Sequence, residues 1–169
     1  MLETMYSCGL RVSELISVRI SNLYHDVGFI KVLGKGNRER LVPIGSKAIT
    51  QVKLYKDHVR SALPNIKKGH EDILFLNRRG AALSRVMVFL IIKDLVKKAG
   101  LEAEVHPHTF RHSFATHLVE AGADLRAVQE MLGHKSITTT EIYTHLDRNY
   151  LRETLEKYHP RFQSSWQDQ

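Results

Sequence analysis

The stretch that decides the fold is Pro107-His108-Thr109-Phe110-Arg111-His112-Ser113-Phe114-Ala115-Thr116-His117-Leu118. Phe110, Phe114 and Leu118 recur at i, i+4 and i+8, the spacing of one apolar helix face, and Pro107 is favoured in a helix's first turn. A helix over His108–Glu120, ending near Gly122, is expected. The apolar stripe seats it on a core. His108 and Arg111 lie three residues apart and share a different face, so an imidazole and a guanidinium project together from a fixed scaffold. Arginine offers a permanently charged planar fork for phosphate oxygens. Histidine exchanges protons near neutral pH. The pair alone is a weak signal, since solvated or salt-bridged faces have the same spacing.

Downstream, Asp124 can cap a helix closed by Gly133, and Leu132-Gly133-His134 places a histidine just past that end, where it also suits the helix dipole. Thr138 and Glu141 have capping-box spacing ahead of Ile142-Tyr143. A tyrosine hydroxyl is a poor nucleophile unless its proton is removed or its anion stabilised. A last helix, Arg148–Tyr158, stops before Pro160, and 163–169 is a polar tail expected to be disordered. Upstream, Met1–Ser7 reads as the last turns of a helix stopped by Cys8-Gly9, and Ser13–Arg19 as a short helix. Arg11 stands beside that second helix with Glu14 three residues on. Phe29–Leu33 and Glu39–Ile44 are strand-like and flank Gly34-Lys35-Gly36-Asn37-Arg38, a hairpin turn. Ser46 can cap a helix to about Ala62, Ile73–Leu76 is the third strand candidate, and Ser84 can cap a long helix stopping at Gly100. The fold expected is mainly α (α+β): a helical bundle carrying a small three-stranded antiparallel sheet.

Twenty-five Lys and Arg against 18 Asp and Glu give a net charge of +7 over 169 residues. Much of the positive charge falls in or beside turns, a distribution suited to a polyphosphate partner. Lys31, Arg38, Arg40 and Arg85 are the side chains expected to contact such a partner. The longest apolar run, Val86–Ile92, is too short to span a bilayer. Cys8 is the only cysteine, which rules out a disulfide framework or a thiolate cluster. These features point to an intracellular protein of one domain. Histidines at 106, 108, 112 and 117 raise a zinc alternative through the i, i+4 pair His108 and His112. The His-Glu-x-x-His pattern is absent, however, and His117 is expected to be buried on the Phe110 face.

Taken in order, Arg11, Lys35, His108-x-x-Arg111, Leu132-Gly133-His134 and Tyr143 resemble the catalytic set of the tyrosine recombinases (phage-integrase family). The surrounding strings agree: Gly-Leu-Arg-Val-Ser-Glu-Leu from Gly9, Gly-Lys-Gly-Asn-Arg-Glu-Arg-Leu-Val-Pro from Gly34, and Ser-Ile-Thr-Thr-Thr-Glu-Ile-Tyr-Thr-His from Ser136. The closing Tyr158-His159-Pro160-Arg161 resembles the end of the bacterial Xer subgroup, which resolves chromosome dimers. The resemblance implies that Tyr143 attacks a DNA phosphodiester to form a 3′-phosphotyrosyl link. It implies that Arg11 and Arg111 clamp the non-bridging oxygens, that His134 donates to them, that His108 is the base and that Lys35 is the leaving-group acid. Glu14 would orient Arg11. No cofactor or metal is implied, because the permanent cations do a metal's electrostatic work.

The same resemblance makes 1–162 a catalytic domain without the N-terminal core-binding domain usual in the family. Its partners would be a double-stranded recombination site, a homo- or hetero-tetramer with a paralogous recombinase, and the septal DNA translocase FtsK, with no membrane. The setting implied is the bacterial cytoplasm, associated with the nucleoid. An integrase of a mobile element or phage is the nearest alternative, followed by a catalytically silent DNA-binding fragment.

Overall fold

The structure, a computed structural model, describes residues 1–34, 39–133 and 145–162, the side chains of 145–147 excepted. Its elements are α1 (Leu2–Ser7), α2 (Val12–Ile16), β1 (Leu23–Tyr24), β2 (Phe29–Leu33), β3 (Glu39–Pro43), α3 (Ser46–Leu54), α4 (Arg85–Lys98), α5 (Pro107–Glu120), α6 (Leu125–Leu132) and α7 (His145–Tyr158). Helices dominate, as the apolar periodicity requires, and one antiparallel sheet in the order β1-β2-β3 accompanies them.

The β2–β3 register pairs Lys31 with Leu41, Val32 with Arg40 and Leu33 with Glu39. Residues of one strand face alternate sides. Arg40 therefore shares its face with Val42 and stands opposite Val32, both buried. The third strand is not Ile73–Leu76. That segment makes only isolated bridges, Arg19 with Ile73 and Leu76 with Ala82, and the sheet is completed by Leu23–Tyr24. A four-residue apolar run does not by itself distinguish a strand from a core-seeking loop. Gly45, not Ser46, is the N-cap of α3, which continues as a π-helical segment over Tyr55–Arg60. α2 ends at Ile16, shorter than expected, where Ser17 Oγ donates back to the Ser13 and Glu14 carbonyls and competes with the helix. Ser84 and Asp124 do cap α4 and α6, accepting from Met87 N at 3.1 Å and Ala127 N at 3.1 Å.

Two hydrophobic clusters form the interior. One joins α1–α4 and the sheet around Met5, Leu10, Leu15, Ile30, Val42 and Phe75. The other joins α5, α6 and α7 around Phe114, Leu118, Met131, Leu151 and Leu155. Gly9 lets them meet. Its φ of +56° is left-handed, and a Cβ there would lie 2.6 Å from the Phe114 ring. The expected stripe on α5 thus divides its work: Phe114 and Leu118 are fully buried in the second cluster, while Phe110 packs against the first. α7 begins three residues before its expected start and packs on its own chain, against α5, α6 and β3. Among the described residues no helix is long and apolar enough to cross a membrane.

Candidate active site

Arg11 leads into α2, and its own backbone N–H donates to Glu14 Oε2 at 2.8 Å. Glu14 caps that helix from inside, with its side chain fully buried. A carboxylate is stable there only if its lone pairs are filled by charged donors. Arg11 Nη1 donates to Oε1 at 3.0 Å, and Arg40 reaches in from β3 with Nη1 to Oε1 at 2.5 Å and Nη2 to Oε2 at 3.0 Å. Arg111 Nη1 lies 4.0 Å from Oε2. Burial opposes ionisation of Glu14, but the bonds and charge of Arg40, then the Arg11 bonds, outweigh it and hold its pKa below the usual value.

The carboxyl end of α6 supplies the second anchor. A helix leaves its last carbonyls without intrahelical partners and with negative dipole character, so guanidiniums are favoured there. Arg40 Nε donates to Met131 O at 2.9 Å. The Leu132 carbonyl accepts from Arg111 Nη2 at 2.6 Å and from Arg11 Nη1 at 3.3 Å. Arg111 Nη1 also donates to Gly9 O at 2.7 Å. Gly133 ends α6 with φ +65°, and a Cβ on it would lie 3.1 Å from Arg40 Cδ. Glycine is needed there twice, for its backbone and for the approach of Arg40.

Arg11 and Arg111, a hundred positions apart in sequence, are thus brought onto one carbonyl oxygen and beside one carboxylate. Among the described residues, Nε and Nη2 of Arg11 and Nε of Arg111 donate to no partner, and the Arg11 side chain is 34% exposed. Burial, then the charge of Arg11, pulls the Arg111 pKa down to about 10 against the attraction of Glu14, which leaves it cationic at neutral pH. Three guanidiniums surround one carboxylate, so the cluster carries excess positive charge at a half-open surface. It is suited to an anion with two or more oxygens. His108 is exposed on α5, one turn before Arg111.

Lys35, Arg38, His134 and Tyr143 lie outside the described residues. Of the expected DNA contacts, Lys31 pairs with Glu39 at 3.2 Å and Arg85 is exposed in the first turn of α4. Arg40 is different: it is buried, 7% exposed, with its three nitrogens bonded inward. The strand alternation that pairs it with Val42 was the signal for this. His117 is also corrected, for it is exposed and meets Tyr6 Oη through Nδ1 at 2.7 Å. It lies one position before Leu118, on the edge of the stripe, where the Tyr6 ring meets it edge-on. Cys8 is buried and its pKa is pushed up to about 12 by desolvation, so it stays an un-ionised thiol at neutral pH.

The Tyr158-His159-Pro160-Arg161 ending turns out to be an anchor. His159 is fully buried among the rings of Tyr6, Phe114 and Phe162 at 4.9, 5.3 and 5.5 Å between centroids. Its Nδ1 accepts from Arg161 N at 3.1 Å, and burial pushes its pKa down to about 4. Arg161 forks onto Glu3 at 3.0 and 2.8 Å.

The sequence profile of the Phage integrase family matches residues 1–149. The chain is 51% identical over 161 residues to tyrosine recombinase XerD of Chlorobaculum tepidum, covering 95% of this chain and 52% of that protein. It is 48% identical over 161 residues to XerD of Staphylococcus saprophyticus, covering 95% of this chain and 54% of that protein. It therefore spans about half the length of these curated relatives. Among solved structures, a crystal structure of XerA recombinase superposes with a TM-score of 0.68 at 35% identity, covering 94% of this chain and 59% of the other. XerH recombinase bound to its palindromic difH substrate gives 0.68 at 32% identity, covering 92% and 44%. On the match across most of its length, this chain belongs to the phage integrase family.

Proposed function

We propose that the chain is the catalytic unit of a Xer-type site-specific recombinase, which cleaves and rejoins DNA through a phosphotyrosyl intermediate in bacterial chromosome dimer resolution. The observation that carries this is the convergence of Arg11 and Arg111 on the Leu132 carbonyl, with guanidinium donors that have no partner among the described residues. In the proposed reaction the Tyr143 oxygen attacks phosphorus and passes its proton to His108. The P–O5′ bond breaks, and the departing oxygen takes a proton from Lys35. Charge gathers meanwhile on the non-bridging oxygens, where Arg11, Arg111 and His134 meet it. A second strand's 5′-hydroxyl then attacks the 3′-phosphotyrosyl phosphorus and gives its proton to Lys35. The P–O bond to Tyr143 breaks and the tyrosine oxygen takes its proton back from His108, so one phosphodiester replaces another. Double-stranded DNA is the substrate, and a tetramer with a paralogous recombinase is the working assembly, with FtsK as the septal partner. The setting is the cytoplasm, at the nucleoid, and no metal or other cofactor takes part.

The test is a nicked DNA substrate that traps the covalent intermediate, offered to the full-length protein that carries this chain. A protein–DNA adduct that Tyr143→Phe abolishes is expected. Failure of the full-length protein to form any adduct on its own site defeats the enzyme assignment and leaves a DNA-binding fragment. The likeness to the phage Brujita integrase, with a TM-score of 0.71 at 28% identity, keeps a mobile-element integrase as the second reading. Attachment sites flanking the gene favour that reading, and a housekeeping locus favours the first.

A further inference from the structure

Arg40 stands out as a basic residue that the proposed chemistry does not use. Its guanidinium is buried and its three nitrogens are committed: two to the Glu14 carboxylate and one to Met131 O. Each acceptor belongs to a group that also seats a clamping arginine. Glu14 holds Arg11 by two bonds, and the next carbonyl along α6, Leu132 O, holds both Arg11 and Arg111. Arg11 Nη1 also spans Glu14 and Leu132 O, but Arg40 is the buried bridge between the start of α2 and the end of α6 that the clamp itself does not supply, and β3 carries it. Gly133 is shaped around it, with Arg40 Nε 3.2 Å from where a Cβ would stand.

We propose that Arg40 is a positioning residue for the phosphate clamp, setting the spacing of Arg11 and Arg111 by tying Glu14 to the carboxyl end of α6. This rests on the assignment of Arg11 and Arg111 to the scissile phosphate. Arg40 touches no DNA. Its loss lets the α6 end and Glu14 move relative to each other, and the two guanidiniums with them. A displacement of about 1 Å is enough to slow a reaction by about 10²-fold.

The test compares Arg40→Met with Arg11→Ala and Arg111→Ala in the full-length protein, by single-turnover cleavage of a nicked site at saturating DNA. Two substrates are used, one with the natural phosphate and one with a methylphosphonate at the scissile position, which replaces an anionic oxygen by a methyl group. Arg40→Met is expected to cleave the phosphate about 10²-fold more slowly. Its affinity for DNA and the salt dependence of binding should be unchanged, whereas losing a phosphate contact lowers the salt slope by about 1. Its defect should shrink on the methylphosphonate, as those of Arg11→Ala and Arg111→Ala should, because there is less charge left to clamp. Arg40→Lys keeps the cation without the fork, should give the same pattern with a smaller defect, and serves alone if Arg40→Met does not fold.

Equal defects on both substrates, a reduced salt slope, or full activity of the Arg40 variants would each overturn the proposal. If Arg11→Ala and Arg111→Ala are themselves equally impaired on both substrates, the clamp assignment is what fails, and the role of Arg40 falls with it.

Discussion

Glu14→Gln is the sharpest test of the structural argument. The wild-type carboxylate has no exposed surface and accepts four hydrogen bonds, three of them from guanidinium nitrogens. Glutamine keeps the shape but carries one oxygen, and its amide N–H₂ must face either Arg40 Nη2 and Arg11 N or the other pair of donors. At least two bonds are lost, and the buried Arg40 loses the carboxylate it is paired with. Removing one partner of a buried pair costs about 3–5 kcal/mol, against about 0–1 kcal/mol for an exposed one. For a chain of this size that corresponds to a fall in Tm on the order of 10 °C.

The assay is urea denaturation of both proteins from pH 7 down to pH 3.5. Because Arg40 and Arg11 hold the folded pKa of Glu14 below its ordinary value of 4.5, the unfolded chain takes up the proton first on acidification. The stabilisation is complete above about pH 4.5 and is lost as pH falls through the lower folded value. The difference between wild type and variant should therefore be full at pH 7 and narrow below pH 4.5, other carboxylates cancelling between the two. A loss under about 1 kcal/mol at pH 7 would mean that the cluster behaves as an exposed pair and would refute the reasoning. So would a gap that stays constant through the acid range.

Two further outcomes are expected. Gly133→Ala puts a side chain at φ +65° with a Cβ 3.1 Å from Arg40 Cδ, and should cost about 1–2 kcal/mol from the backbone alone. Denaturation together with adduct formation measures it, and a neutral substitution would contradict the close approach of Arg40. His159 has its folded pKa lowered to about 4, so the unfolded chain binds the proton first. Stability is full above about pH 6.5 and declines as pH falls toward 4. His159→Phe should remove that slope in thermal denaturation from pH 7.5 to 4.5, and identical slopes in the two proteins would show that the imidazole is not desolvated.

Much of this protein is legible without coordinates. The apolar stripe of α5, the caps Ser84 and Asp124, the β2–β3 hairpin and the αL stop at Gly133 are local matters, written in spacing and in the few residues that tolerate a given backbone. Of the candidate site residues, Arg11, Glu14 and Arg111 come together in the structure, while Lys35, His134 and Tyr143 lie outside the described residues. What spacing did not reveal is who holds whom. Arg40 read as one more basic residue near a turn, although its alternation with Val42 pointed it inward. The Tyr158-His159-Pro160-Arg161 ending read as a subgroup signature, and its work as an anchor on Tyr6, Phe114 and Glu3 was invisible.

The division has a physical cause. Helix faces, caps and turns depend on neighbours within a few residues, so the sequence by itself determined the long helices, the β2–β3 pair, the basic character and the list of candidate groups, while packing decided that Leu23–Tyr24 and not Ile73–Leu76 completes the sheet. The spacing of Arg11 and Arg111 depends on a buried carboxylate, on two carbonyls at the end of α6 and on a third guanidinium from β3. These are polar groups that must satisfy one another once water is excluded, and only the packing of distant segments decides which of them meet.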